Sequence, residues 1–589
     1  MRTIVVIGCG PWGLCVLERL LSRARAERRS VAIHVVEAGR PGTGVYSTDQ
    51  PDYLVLNNPC GQLSLYAQPE PDRDPPYGLG LFEWARRRGY GWVGEECRVD
   101  RRARPVEPTD FLPRRLMGEY LNWFYETLVA DAPAGVAVIH HPTSAVDVVA
   151  IGDRELVVLA DGSSVAADRV VLTSGHTPNL PAAPGTPAAA WRSPYPVDPY
   201  TALPGPGGTV AVAGMGLVAY DLLAAMTTAR GGRFEGDGDR LRYHPSGREP
   251  DVVLYSRSGV PPTAKPCSTA DASATYRPVI CTPERLGALR PGSIDFRADV
   301  LPLVEAEMQV RYHATAGGPG AAARLTAAWG AGRFAEEVAA LAGCHGAFDP
   351  ARFLGRGLDL PVLSSKDYES QVYDLVERDL DEALAGPERS PLKAALETTR
   401  ILRDPLRSVL EYRALTLESY LDFHGRLRPA VNRVEAGPPL WRSQQLLALL
   451  DTGVVRVPLG PDPAVEPLPG GRAVLRSTAL VRPHEETAEL LIRGNLELPD
   501  VATSASPLLR ALHRAGRLRP LCYGEVAVGS IDIDRDFHPV DRRGRPQPTI
   551  AVLGVLTEGI RYFTHYLPSP KSRLRAVLDA AHCAEGALP

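Results

Sequence analysis

Two stretches far apart in this chain repeat one local design. The first runs TIVVIGCGPWGLCVLERLLSRA from Thr3 and continues into VAIHVVEAG, an apolar β-branched run, a glycine turn, an amphipathic helix and a second apolar run ending at Glu37. The second runs GGTVAVAGMGLVAYDLLAAMTTA and is followed by DVVLYSRSG. In each, a short apolar run with helix-period residues behind it reads as a buried strand feeding a helix, the start of a parallel β-α-β unit. The pattern predicts an α/β protein with two Rossmann-like dinucleotide-binding domains.

The turn residues say what such units hold. Gly8, Gly10 and Gly13 form GxGxxG. The first allows a tight turn, the second lets backbone approach a pyrophosphate, and the third lets the helix pack closely, with the phosphate at the positive helix terminus. Glu37 ends the next strand, where a carboxylate accepts bonds from ribose hydroxyls. In the second unit Gly214, Gly216 and Ala219 form the GxGxxA variant, with Asp221 inside the helix. Its next strand ends in Ser256 and Arg257 instead of an acid, which suits a 2′-phosphate and favours NADPH over NADH.

The chain has 589 residues, room for about three or four domains. Residues 1–205 read as the first segment of the first nucleotide domain and 206–282 as the core of the second. Residues 283–470 read as a largely helical insertion able to cover a substrate (VLPLVEAEMQV, QVYDLVERDLDEAL, SQQLLALLDTG), and 471–589 as the return to the first domain. A Pro-rich linker is expected over 178–206, and a hairpin turn at Asp161 and Gly162. The balance of 65 basic and 69 acidic residues creates no general field for nucleic acid or an anionic membrane, which points to a small-molecule partner. Nine scattered cysteines without a CxxC pair argue against a disulfide framework and against zinc. No cationic leader opens the chain and no apolar run reaches about 18 residues, so a soluble, cytoplasmic protein is expected.

Beyond these units, the sequence resembles the large class of two-dinucleotide flavoproteins. VVIGCGPWG with Glu37 is similar to their FAD site, VVLTSGH at 170–176 to the turn where the chain crosses between domains, and VAVAGMGLVAYD to their NADPH site. More narrowly, GTGVYS (42–47), YLVLNNPCGQLSL (53–65) and FLPRRLMGEYL (111–121) are similar to the FAD/NAD(P)-binding family of actinobacterial flavoproteins, over most of the chain. A departure follows AVLG, where Thr557, Glu558 and Gly559 stand in place of a Gly-Asp pair. The resemblance implies bound FAD and NADPH. Members of this group include monooxygenases that convert aspartate to nitrosuccinate in biosynthetic pathways, so it also implies N-oxygenation of a small amino acid by dioxygen, with L-aspartate the first expectation.

That chemistry makes its own demands. An amine attacks an electrophilic oxygen only when unprotonated, and an α-amino group of ordinary pKa about 8 is mostly protonated at neutral pH. A diacid amino acid also needs cations, best supplied by bidentate guanidinium groups. Outside the nucleotide motifs, Arg277 in ATYRPVICT and Arg428 in GRLRPAVNR are the candidates, with Arg433 in reserve, each near proline in a loop-like passage. Asn57 and Asn58 in VLNNP either donate to the flavin or shape a turn, and His176 either touches the flavin or is structural. No residue emerges as a proton-transferring catalyst. The pairs His140-His141 and Glu485-Glu486 lack a third ligand, so no metal is expected.

Two other classes share these features: an oxygen-independent NADPH:FAD oxidoreductase with a second electron acceptor, and a non-catalytic nucleotide-binding regulator. Cys9 and Cys15 do not form a CxxC pair, which disfavours a dithiol reductase. A second dinucleotide signature would be idle in a flavin sensor.

Overall fold

The computed structural model describes residues 1–66, 78–181, 191–203, 205, 207–236, 240–266, 276–355, 364–565, 567 and 575–588. Its principal elements are β1 (Arg2–Ile7), α1 (Pro11–Ala26), β2 (Val31–Val36), α2 (Arg114–Ala130), β3 (Val136–His141), β4 (Arg169–Leu172), β5 (Trp191–Arg192), β6 (Thr209–Ala213), α3 (Leu217–Met226), β7 (Asp251–Tyr255), α4 (Leu301–Gly317), α5 (Ser365–Ala385), α6 (Arg428–Glu435), β8 (Val455–Arg456), β9 (Leu490–Arg493), β10 (Ile550–Val552) and α7 (Arg575–Ala587). The chain divides into two units, the first of Met1–Leu180, Leu410–Arg413 and Glu497–Pro589, the second of Pro181–Val409 and Ala414–Leu496.

The first unit is built on a five-stranded sheet in the order β10-β4-β1-β2-β3, every pair parallel. The continuous apolar run of β1 follows from this position: Ile4, Val5 and Val6 are fully buried because both faces of a central parallel strand are covered. On α1, Leu14, Leu17, Leu20, Leu21 and Ala24 are buried at helical spacing. Contacts between α1 and α7 tie the end of the chain to its first helix. The turn at Asp161 and Gly162 joins strands Arg154–Leu159 and Ser164–Ala167 as read from the sequence, with Gly162 at φ +88°.

The second unit carries its own parallel sheet, ordered β5-β9-β6-β7-β8. Its helical part includes α4, α5, Pro391–Leu410 and Leu440–Thr452, in line with the periodicity over 283–450.

Three boundaries differ from the expectation. The second unit begins at Pro181, within the expected linker: Trp191 and Arg192 form its edge strand, while 182–190 lie outside the described residues. The return to the first unit comes at Glu497, later than 471, because Ala464–Pro467, Ala473–Arg476 and Glu485–Ala488 form a small antiparallel sheet of the second unit before β9 enters between β5 and β6. Alternation marks a strand but not the sheet it joins.

The third difference is the four-residue excursion Leu410–Arg413 into the first unit. Tyr412 and Arg413 have φ +52° and +59°, a strained region for side-chain-bearing residues. Bonds hold them there: Tyr412 N–H donates to Ile560 O (2.9 Å), Arg413 Nη2 pairs with Asp532 (2.6 Å), and Glu411 pairs with buried Arg561 (3.1 Å).

Candidate functional site

In the first unit the glycine turn between β1 and α1 is pressed against backbone. A Cβ on Gly8, at φ +87°, would stand 2.6 Å from Ser174 Cα, and one on Gly13 would stand 2.3 Å from Gly8 O. Gly10 is different: its Cβ would meet only Gly44 Cα, at an ordinary 3.5 Å. The first and third glycines therefore serve the protein's own packing, and the second leaves space for something else. Gly10 caps α1 without any side-chain bond, and no acid lies in the first turn, so the helix itself carries nothing that neutralises its positive end. This cradle fits a dinucleotide pyrophosphate.

Neighbouring bonds hold the cradle rigid. Gly8 N–H donates to Val36 O (2.9 Å), Thr173 Oγ1 to Gly8 O (2.6 Å), and Gly42 N–H to Cys9 O (2.7 Å). Glu37 Oε2 accepts from Cys9 N–H (2.9 Å) and Oε1 from Gly39 N–H (3.2 Å). Each carboxylate oxygen has two lone pairs, which leaves acceptor capacity for ribose hydroxyls. The Cys9 and Cys15 thiols beside the cradle are buried, and desolvation first, then the charges of Glu37 and Glu18 respectively, raise their pKa values, that of Cys15 to about 12. They are not thiolates, and the described cysteines are all free, while Cys267 lies outside the described residues.

Asn57 and Asn58 sit on a segment stitched to the residues before α2: Leu56 N–H donates to Leu112 O (2.9 Å) and Arg114 N–H to Leu54 O (2.8 Å). Asn58 is buried, and neither side chain is free. His176 follows Gly175, which turns at φ +70°. Its ring reaches solvent but is densely surrounded, and that desolvation lowers its pKa, with His565 adding to the shift and Glu558 opposing it.

The departure at the C-terminus has a structural role. Buried Glu558 folds onto its own loop, accepting from Phe563 N–H (3.1 Å), Thr564 N–H (2.5 Å) and Thr564 Oγ1 (2.7 Å). Thr564 O in turn accepts from Trp12 Nε1 (3.1 Å), and the Trp12 ring lies 3.0 Å from where a Gly554 Cβ would be. Trp12 thus joins the glycine turn to the C-terminal segment, a role the sequence reading missed. Its signal was an aromatic residue inside a turn of small ones.

In the second unit Gly214, at φ +132°, faces Gly494: a Cβ on Gly214 would stand 2.8 Å from Gly494 O, and one on Gly494 would stand 2.9 Å from Gly214 O. Gly494 is the second residue missed, marked only by the RGN that ends an apolar run. Around a Cβ on Gly216 there is open space, and Gly216 caps α3 with no side-chain bond and no acid in the first turn. Ala219 is buried on α3, and buried Asp221 accepts from the Tyr195 hydroxyl. At the end of β7, Ser256 O accepts from Asp462 N–H (3.0 Å), and Gly259 N–H donates to Ser256 Oγ (3.1 Å). This tight turn leaves Arg257 exposed and without an ion pair among the described residues. A free guanidinium beside an open glycine turn fits a dinucleotide bearing an extra phosphate.

Of the substrate candidates, Arg277 lies on a loop and is exposed. Arg428 and Arg433 do not lie in a loop: both are on α6, which continues directly from helix Leu417–Asp422 through the π-helical turn Phe423–Leu427, and that wider turn accommodates Pro429 inside the run. Arg428 is buried, with Nη1 3.2 Å from His424 Nδ1, and Arg433 Nη2 donates to Phe353 O (2.9 Å) while burial lowers its pKa.

The histidine and glutamate pairs are engaged elsewhere. His141 Nε2 lies 2.8 Å from His34 Nδ1, and Glu486 pairs with Arg456 (2.7 Å). Among the described residues Asp534, Asp536 and His538 bring possible ligand atoms within 4.8 Å of one another, but Asp534 already accepts the N–H groups of Asp536 (2.9 Å) and His538 (2.8 Å). No described helix is long and apolar enough to cross a membrane.

A family model described as FAD-NAD(P)-binding matches residues 5–177. An L-aspartate N-monooxygenase (nitrosuccinate-forming) of Streptomyces davaonensis is 32% identical over 100% of this chain and 97% of its own. One of the same name from Streptomyces cremeus is 30% identical over 95% of this chain and 91% of its own. A nitrosuccinic acid synthase of Aspergillus oryzae is 28% identical over 95% of this chain and 89% of its own, so the likeness extends beyond actinobacteria. With two glycine cradles in place and this identity sustained from end to end, the chain belongs to the family of the nitrosuccinate-forming L-aspartate N-monooxygenases.

Proposed function

We propose that this protein is an FAD- and NADPH-dependent monooxygenase that N-oxygenates L-aspartate to nitrosuccinate, acting in the cytoplasm as part of a biosynthetic route. The observation that carries the reading is the full-length identity to enzymes of that name, in a chain that keeps both dinucleotide cradles.

When bound, FAD supplies two-electron and oxygen-activating chemistry and NADPH supplies the electrons. Gly8, Gly10, Gly13 and the open end of α1 hold the FAD pyrophosphate, Glu37 holds a ribose, and Asn57, Asn58 and His176 line the remainder of that site. Gly214, Gly216, Ala219 and the end of α3 hold the NADPH pyrophosphate, with Ser256 and Arg257 on the 2′-phosphate. Arg277 and Arg428 take the two substrate carboxylates, with Arg433 in reserve. Holding both carboxylates by guanidinium groups orients the amine and sets positive charge near it, which disfavours the ammonium and favours the neutral, nucleophilic form. The helices within 283–452 exclude the water that would waste reducing equivalents as peroxide. Each round consumes one dioxygen and one NADPH, places one oxygen atom on nitrogen and releases the other as water.

The test is turnover of L-aspartate with NADPH under isotopically heavy dioxygen, with mass analysis of the product. Heavy oxygen on the aspartate nitrogen supports the reading. NADPH oxidation without substrate oxygenation would make the protein a reductase, and absence of any NADPH turnover by the flavin-loaded protein would make it a nucleotide-binding regulator.

A further inference from the structure

Glu307, on α4, is 0% exposed and has no cationic partner among the described residues. A buried carboxylate without a counter-charge is retained only where donors replace its lost water. Here the donors all come from one short segment. Glu307 accepts from Val279 N–H (3.1 Å), Ile280 N–H (2.7 Å), Cys281 N–H (2.9 Å) and the Tyr276 hydroxyl.

The same segment is held from other sides. Arg285 Nη1 donates to Ile280 O (2.7 Å), the Arg311 guanidinium lies 4.4 Å from the centre of the Tyr276 ring, and Ile280 is fully buried against Ala306, Val310 and Leu325. Buried Glu307 raises the Tyr276 pKa after desolvation, which keeps that phenol protonated and donating. Between these fixed points stand Arg277 and Pro278. Proline biases Arg277 toward extended backbone, and its side chain is exposed with no hydrogen bond or ion pair among the described residues.

So the segment binds its backbone and its aromatic ring inward and leaves one guanidinium outward and free. A loop this constrained loses little further freedom when an anion arrives, which is what preorganisation means for affinity. We propose that Glu307 is a positioning residue: it clamps residues 276–281 so that Arg277 is presented, on backbone already ordered, to a carboxylate of the amino-acid substrate. This rests on the reading of Arg277 given above. Glu307 touches no reacting atom and acts through Arg277.

A double-mutant cycle tests it, using the FAD-loaded full chain with Glu307→Gln, Arg277→Ala and both together. The readouts are the L-aspartate Kd by calorimetry on the oxidised protein, KM against kcat, the NADPH KM and the thermal midpoint. Glu307→Gln sets an amide N–H against backbone N–H groups, and it should weaken aspartate binding by about 10- to 100-fold, as a displaced positioning group does. FAD content and NADPH KM should stay unchanged, and in the Arg277→Ala background the substitution should have no further effect on aspartate affinity. Tyr276→Phe removes one bond of the clamp and should give a smaller loss in the same direction, which keeps the test available should Glu307→Gln fold poorly. Effects of Glu307→Gln and Arg277→Ala that multiply would overturn the proposal, since Glu307 would then act independently of Arg277. An unchanged aspartate Kd in Arg277→Ala would overturn the reading of Arg277 itself, whatever Glu307→Gln does.

Discussion

Gly13→Ala tests the packing argument for the FAD cradle. The added Cβ would stand 2.3 Å from Gly8 O and 3.0 Å from Thr173 Oγ1, whereas ordinary contact begins near 3.4 Å. The carbonyl is backbone, pinned by the bond from Thr173 Oγ1, so it cannot rotate aside. Instead α1 must withdraw from the turn by about 1 Å, a displacement in the range where overpacking costs about 1–3 kcal/mol. Without FAD the helix can relax, helped by the helix preference of alanine over glycine, about 1 kcal/mol. With FAD, the helix end must return to its place, so the cost falls on binding and weakens FAD by about 5- to 150-fold. Fluorescence titration of the flavin-free protein measures this directly. Gly10→Ala is the comparison: with only Gly44 Cα at 3.5 Å, it should leave the thermal midpoint of the flavin-free protein nearly unchanged while weakening FAD through the space the ligand needs. A Gly13→Ala protein that binds FAD within about twofold of the parent would refute the reasoning, since α1 would then tolerate the extra atom in place.

Arg257→Ala should raise the NADPH KM by about 5- to 30-fold, the value of a partly solvated charge-assisted contact, and leave the NADH KM unchanged; equal effects on both would remove its phosphate role. Arg277→Ala and Arg428→Ala should each raise the L-aspartate KM by about 10- to 150-fold with FAD still bound, and steady-state kinetics unchanged in both would sink the carboxylate assignment. His313, fully buried with neither ring nitrogen hydrogen-bonded, has its pKa lowered by desolvation and then by His345. The unfolded chain therefore binds the proton more readily, so stability should fall as pH drops below about 6.5 and go on falling to the depressed folded pKa. Thermal midpoints at pH 7.5 and 5.5 should converge in His313→Leu relative to the parent, and an unaltered pH dependence would contradict this.

The features legible in the sequence were local ones. A glycine spacing, an apolar run and an acid at a strand end are written within about 40 residues, and both parallel sheets follow from them. What escaped depends on long-range pairing. Gly494 matters only because β9 lies beside β6, and Trp12 only because the C-terminal segment comes back to the first turn. Likewise, strand patterning after 471 could not reveal that two short strands and β9 stay with the second unit. Arg428 and Arg433 read as loop residues because proline follows Arg428, yet the π-helical turn just before it lets the helix run on through Pro429. The excursion at Leu410–Arg413 leaves no mark on composition, since Tyr412 and Arg413 are not residues that advertise positive φ.

The most direct measurement follows NADPH loss and hydrogen peroxide release by the FAD-loaded protein in air, with and without L-aspartate. The account predicts that aspartate accelerates NADPH oxidation, lowers the share of electrons lost to peroxide, and is converted to nitrosuccinate. NADPH consumed at one rate and with one peroxide yield, whether or not aspartate is present, would contradict it.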